Sequence, residues 1–94
     1  MTAKQARNLK PGDEVFIAQA HYNTPNAVIR TTVRGIDPRA RFVRNKDAVG
    51  VTVRNGSMWS SDHVHLTEED AKADIRVILA MRIETLKAEL AKWF

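Results

Sequence analysis

Ala27-Val28-Ile29-Arg30-Thr31-Thr32-Val33-Arg34-Gly35-Ile36 is the stretch whose reading decides the fold. In an extended chain Ile29, Thr31 and Val33 fall on one side and Arg30, Thr32 and Arg34 on the other. Strand side chains alternate with period two, so burying Ile29 and Val33 turns Arg30 and Arg34 outward together. β-branched residues at this density favour a strand. The stretch also opens a basic tract: seven Lys/Arg against two Asp lie between Arg30 and Arg54. A β signal and a charge signal thus coincide.

On the N-terminal side, Asn23-Thr24-Pro25-Asn26 is a turn cluster. A strand is predicted over 14–22, with Val15 and Ile17 on one face and Phe16 and Ala18 on the other. Leu9-Lys10-Pro11-Gly12-Asp13 before it reads as a turn, because proline presets one φ and glycine supplies a permissive one. Residues 1–8 are polar, carry Lys4 and Arg7, and read as a flexible arm.

On the C-terminal side, Asp37-Pro38 breaks the run and a third strand is predicted over 39–45, around Phe42. After a turn at Lys46-Asp47, a fourth covers 48–54, with Val49, Val51 and Val53 inward and Thr52 and Arg54 outward. Asn55-Gly56 predicts a type I′ turn, which needs two positive φ values. Met58-Trp59 and residues 63–66 supply short pieces that close the sheet. Five short strands joined by tight turns predict a small antiparallel barrel over 9–66.

The period changes at residue 67. Thr67 can cap a helix, and Glu68, Glu69 and Asp70 sit where the helix dipole favours acids. Ile75, Leu79, Ile83, Leu86, Leu90 and Trp93 recur at spacings of three and four, widened by Ile78 and Met81, and no Gly or Pro interrupts 67–94. Such a helix is roughly 40 Å long at 1.5 Å per residue. A five-stranded barrel of ~17–20 Å strands is only about 25 Å across. Core packing accounts for the first half of the helix. The second half, ending in Trp93-Phe94, is expected to meet a protein partner or form a homodimer.

The fold class is therefore α+β, mainly β: one domain over 1–94, with a five-stranded antiparallel barrel followed by one long amphipathic helix. Apolar residues at 44% and charged residues at 28% are globular values and argue against wholesale disorder. The formal charge of +4 is unevenly spread. Residues 1–66 hold ten Lys/Arg against five Asp/Glu, and residues 67–94 five against six. The excess belongs to the β-rich part and favours anionic partners, nucleic acid first and an acidic protein surface second. The chain has no cysteine, which excludes disulfides, thiolate metal sites and cysteine nucleophiles. Residues 1–10 lack the apolar core of a signal peptide, and no apolar run approaches the ~20 residues that span a bilayer. A cytoplasmic protein without membrane contact is expected.

Chemistry-bearing residues are few. His63 and His65 share one side of an extended segment, and His21 could join them. No acidic ligand stands at His-Glu-x-x-His spacing, so ordinary surface histidines are expected, with no metal and no cofactor. Ser57, Ser60, Ser61, Asp62 and His63 are the residue types of a hydrolase triad, but they are neighbours on one loop and lack a Gly-x-Ser-x-Gly elbow. No catalytic residue is assigned and no enzyme is expected.

Nucleic-acid binding has the best physical case. Arg30 and Arg34 share a strand face, Arg54 can join them, and Arg39, Arg41 and Arg44 lie on the expected third strand. Guanidinium is planar, always charged and bidentate toward phosphate. With Phe42 assigned to the core, Tyr22 and Trp59 are the stacking platforms left, so sequence-tolerant backbone binding is expected. The binding residues are taken as Arg30, Arg34, Arg41, Arg44 and Arg54. For a protein interface they are Trp59, Leu86, Leu90, Trp93 and Phe94.

Leu9-Lys10-Pro11-Gly12-Asp13-Glu14-Val15-Phe16-Ile17 resembles the opening strand of small Src-homology-like barrels, including KOW-type modules. Where KOW modules continue with a glycine-rich step, this chain has His21-Tyr22-Asn23-Thr24-Pro25-Asn26. The whole layout is similar to small accessory proteins encoded by bacteriophages and mobile elements. In those, a Pro-Gly-Asp-x-Val start leads into a basic barrel and a Thr/Ser-Glu-Glu helix. The resemblance implies a non-enzymatic binding protein, in the host cytoplasm if phage-encoded, and carries no catalytic residues across. Its partner would be nucleic acid or a host protein complex. The alternative it implies is a protein–protein inhibitor of a host enzyme or defence complex.

Overall fold

The computed structural model describes residues 1–20, 25–42 and 46–93. Among these residues five strands form one antiparallel sheet: β1 (Glu14–Gln19), β2 (Ala27–Asp37), β3 (Gly50–Val53), β4 (Met58–Ser60) and β5 (Val64–His65). Their spatial order is β4-β3-β2-β1-β5. β2 spans both halves: it pairs with β1 through Ile17↔Ile29 and Val15↔Thr31, then with β3 through Val33↔Val53. A register shift between Val33 and Gly35 separates the two ladders. A bulge of this kind bends a strand and raises its twist, which lets one sheet wrap around its own core. The sheet stays open: among the described residues no ladder joins β4 to β5, and a 3₁₀ turn (Ser61–His63) links them.

Directly opposed residues share a face, so the alternation read in the sequence becomes a core. Val15, Ile17, Val33, Val49, Val51, Val53 and Val64 are buried together, with Leu9, Ile29, Ile36 and Trp59 packed at the margin. Ser61 is the buried polar residue among the described ones. Its hydroxyl accepts from the Val49 amide at 3.1 Å, and its own amide donates to the Val49 carbonyl at 2.9 Å. That accounts for Ser61 as a structural residue.

Four local expectations are corrected. First, residues 38–42 make a turn and loop where a third strand over 39–45 was expected; residues 43–45 of it lie outside the described ones. Pro38 has no amide to give a ladder. Asp37 then closes the turn on itself, its Oδ1 accepting from the Arg39 amide at 2.9 Å. Five strands arise instead because the two closing pieces are separate strands, β4 and β5. Second, β1 ends at Gln19 and leaves Ala20 out of the strand; residues 21–22, the rest of the expected strand, lie outside the described ones. Third, the loose arm is a helical turn, α1 (Ala3–Arg7), held by a capping box between Thr2 and Gln5. It buries Ala6 in the core and packs Met1 against it.

Fourth, the β3–β4 hairpin is not type I′. Among the described residues only Gly12 and Gly56 have positive φ, +94° and +88°. The Gly56 amide donates to the Val53 carbonyl at 2.9 Å, and the Val53 amide to Ser57 at 3.0 Å. This is a three-residue loop with a glycine bulge, which places the left-handed residue at Gly56 and leaves Asn55 its ordinary φ.

Gly50 is required for another reason: space. A Cβ there would sit 2.5 Å from Met58 Sδ and 3.0 Å from the Ala40 Cβ. Met58 can swing away, whereas Ala40 cannot without moving its backbone. Gly50→Val is therefore expected to destabilise the protein by about 1–3 kcal/mol, read as a lower denaturation midpoint.

The final element is α2 (Glu68–Ala91), capped by Thr67, whose side chain accepts from the Asp70 amide at 3.1 Å. His65 is opposite Phe16 in the ladder, hence on the same face, and its Nε2 lies 2.8 Å from Asp74 of α2. That contact puts α2 on the face opposite the valine core and explains why Ala18, next but one after Phe16, is buried as well. The helix stays on the sheet only as far as Arg82; residues 83–93 are all exposed. The molecule accordingly measures 51 × 24 × 20 Å. Among the described residues no helix is long and apolar enough to cross a membrane.

Candidate functional site

A groove of about 500 Å³ opens at one end of the wrapped sheet, between β1–β2 and the β3–β4 hairpin. Ile17, Ile29 and Val53 form its apolar floor, and Arg30, Arg54 and Trp59 line it with Gln19, Asn55 and Ser57. The ladder explains why the indole is here. Trp59 opposes Val51 and therefore lies on the core face, where it is half-buried against the core margin. Its Nε1 donates to Ser57 Oγ at 3.0 Å, and that hydroxyl donates to Asn55 Oδ1 at 2.6 Å. The hairpin loop thus orients the ring while one side of it contributes to the groove.

The two arginines differ in electrostatic state. Arg30 is ion-paired to Glu14 at 2.8 Å, with both side chains well exposed. The Glu14 hydrogen bond raises the already high pKa of Arg30, so this cation is permanent but partly balanced. Arg54 makes no ion pair among the described residues, and its backbone amide is fixed to the Thr32 carbonyl at 3.0 Å.

The five expected arginines do not form a single face. Arg30 and Arg54 both line the groove. Arg34 lies against the hairpin turn, its Nη1 3.7 Å from where a Gly56 Cβ would stand. Arg41 folds back to donate to the carbonyls of Arg39 (3.2 Å) and Ala40 (3.4 Å). It lines a separate polar hollow of about 480 Å³ with Arg7, Lys46 and Asp47. Arg44, Tyr22 and Phe94 lie outside the described residues. Leu86, Leu90 and Trp93 are exposed on the distal part of α2, away from both hollows.

Arg7 and Lys46 were missed as members of a cationic cluster, and Gln19, Asn55 and Ser57 as groove residues. The first had a readable signal: Thr2-x-x-Gln5 is a capping-box pattern that would have turned the loose arm into a helix and positioned Arg7. The others had none, because they meet only after the hairpin folds over β1 and β2.

His63 and His65 face neither hollow. His63 Nδ1 and His65 Nε2 approach the same Asp74 oxygen at 3.0 and 2.8 Å. A carboxylate only accepts, so both ring nitrogens facing it carry protons. The trio is a clasp between α2 and the 3₁₀–β5 segment.

No protein-family model, curated protein or solved structure matches the chain, so a functional reading stands on the geometry of the groove itself.

Proposed function

We propose that this chain is a non-enzymatic, phage-type accessory protein of the host cytoplasm whose groove binds single-stranded nucleic acid. The observation that carries the reading is one groove whose lining includes Arg30, Arg54 and Trp59 beside the apolar Ile17, Ile29 and Val53. An indole offers a stacking face to any base, and flanking guanidinium groups take the adjoining phosphates, which is how sequence-tolerant single-strand binders work. A second, separate hollow lined by Arg7, Arg41 and Lys46 together with Asp47 offers further cations elsewhere on the surface. The reading takes the sheet as a Src-homology-like, KOW-like barrel left open between β4 and β5.

The test is fluorescence anisotropy with a labelled single-stranded oligonucleotide over a salt series. Trp59→Ala is expected to weaken binding ten- to a hundredfold, since stacking contributes ~1–3 kcal/mol per base. Arg54→Ala is expected to lower the log–log salt slope by about 0.7, the share of one phosphate on a single strand. Affinity indifferent to salt and to both substitutions would sink the proposal.

A second reading is a protein–protein inhibitor of a host enzyme or defence complex, anchored by Trp59 and the helix end. It is supported by the Glu14–Arg30 pair, which withdraws one cation from the groove, and by the large apolar side chains on distal α2. In that case Leu90→Ala costs more affinity for the partner than Arg54→Ala does.

A further inference from the structure

Beyond Arg82, α2 projects from the sheet and presents Ile83, Leu86, Leu90 and Trp93 at 52%, 63%, 58% and 79% exposure. These four, with half-buried Leu79, are spaced four, three, four and three residues apart. That is the a/d seam of a heptad repeat, with Leu79, Leu86 and Trp93 at d and Ile83 and Leu90 at a. An exposed stripe of this size and regularity marks an interaction surface.

The flanking charges say what covers it. Arg82 and Glu89 occupy g positions and Lys87 an e position. In a parallel pair, g faces the following e of the other helix, so Arg82 would oppose Lys87, two like charges. In an antiparallel pair with Ile83 opposite Leu86, g faces g, and Arg82 of each copy meets Glu89 of the other. Lys87 then opposes Ala80 and meets no like charge. Sliding that antiparallel register by one heptad would set Lys87 against Lys87 and Glu89 against Glu89. In the favoured register Trp93 also arrives beside exposed Arg76 of the other helix, a cation–π arrangement. Charge complementarity therefore favours an antiparallel second copy in this register over the parallel pair and the one-heptad slide.

We infer that the distal half of α2 pairs antiparallel with α2 of a second copy, centred between Ile83 and Leu86, in six layers from Arg76–Trp93 to Trp93–Arg76. The seam covers about 25 Å of helix at 1.5 Å per residue. It sets the two sheets, each with its basic groove, at opposite ends of the shared helix pair.

Sedimentation equilibrium of the full chain from micromolar to millimolar concentration tests the inference. The expected result is a dimer that Leu86→Glu or Leu90→Glu converts to monomer with unchanged far-ultraviolet circular dichroism, since both positions are exposed in the single chain. Arg82→Glu should weaken the dimer at least severalfold, and adding Glu89→Arg should restore it. In a parallel dimer, Arg82→Glu would instead tighten association. Because the chain has no cysteine, Lys92→Cys allows one spin label per copy. Antiparallel pairing puts the two labelled backbones on the order of 25 Å apart, and parallel pairing about 10 Å. A monomer at millimolar concentration, failure of the double charge swap to restore the dimer, or the short label distance would each overturn the inference.

Discussion

Ile17→Ala is expected to destabilise the protein by about 3–4 kcal/mol, measured by chemical denaturation against the unaltered chain. Ile17 is wholly buried and heads the fully buried side chains in size. It pairs with Ile29 of β2 on one side and Val64 of β5 on the other, so ladders hold it from both sides. Truncation removes three carbons from a site walled by valines held in ladders, which cannot collapse to refill it, so transfer and cavity terms add. A domain of this length has a total stability of about 5–10 kcal/mol. The loss is thus a third or more of the whole, enough to leave a measurable unfolded fraction on mild heating. Ile17→Val, which deletes one carbon, is expected to cost only about 1 kcal/mol. Equal effects of the two substitutions would show that the position is more plastic than its burial implies.

Asp74→Ala is expected to cost about 2–3 kcal/mol and to act mainly on the docking of α2. Its carboxylate receives His63 and His65 at 3.0 and 2.8 Å, with side-chain exposure of only 15% for Asp74 and 13% for His65. Removing the acceptor leaves the His65 N–H without it where water reaches poorly and turns the His63 N–H, on a side chain 33% exposed, toward water; hydrogen bonds to a charged group are each worth more than neutral ones. Asp74→Asn retains one carbonyl oxygen at the same place and should lose about half as much. Hydrogen exchange distinguishes the clasp from a general loss of stability. The amides of α2 should lose protection first in Asp74→Ala, while those of β1 and β2 keep theirs. Uniform loss across sheet and helix would contradict a docking role.

These two positions also show why some of the structure was legible in the chain and some was not. Val49, Val51 and Val53 could be sent inward from their period alone, and all three are buried. Thr67 with the acids after it marked the start of α2 correctly, because capping depends on residues within one turn. Pro38 illustrates the opposite case. The charged and apolar residues around it alternate like a strand, but the missing amide and the Asp37 side chain close a turn. Asn55-Gly56 correctly announced a hairpin, yet the loop length that selects its turn type came from where β3 and β4 pair.

What the sequence by itself determined is the inventory: antiparallel strands, a long capped helix, a valine face, an excess of cations in the β-rich part and an apolar heptad near the end. Each of these is written in spacings of two to four residues, where backbone geometry alone links position to direction. Only the tertiary structure decided that α2 lies on the sheet face opposite the valine core, that Arg30, Arg54 and Trp59 border one groove while Arg7, Arg41 and Lys46 border another, and that the heptad projects into solvent. Those facts depend on a bulge that bends β2 and on contacts between residues far apart along the chain. No local period encodes a distance between elements; it is set when their faces compete to be buried.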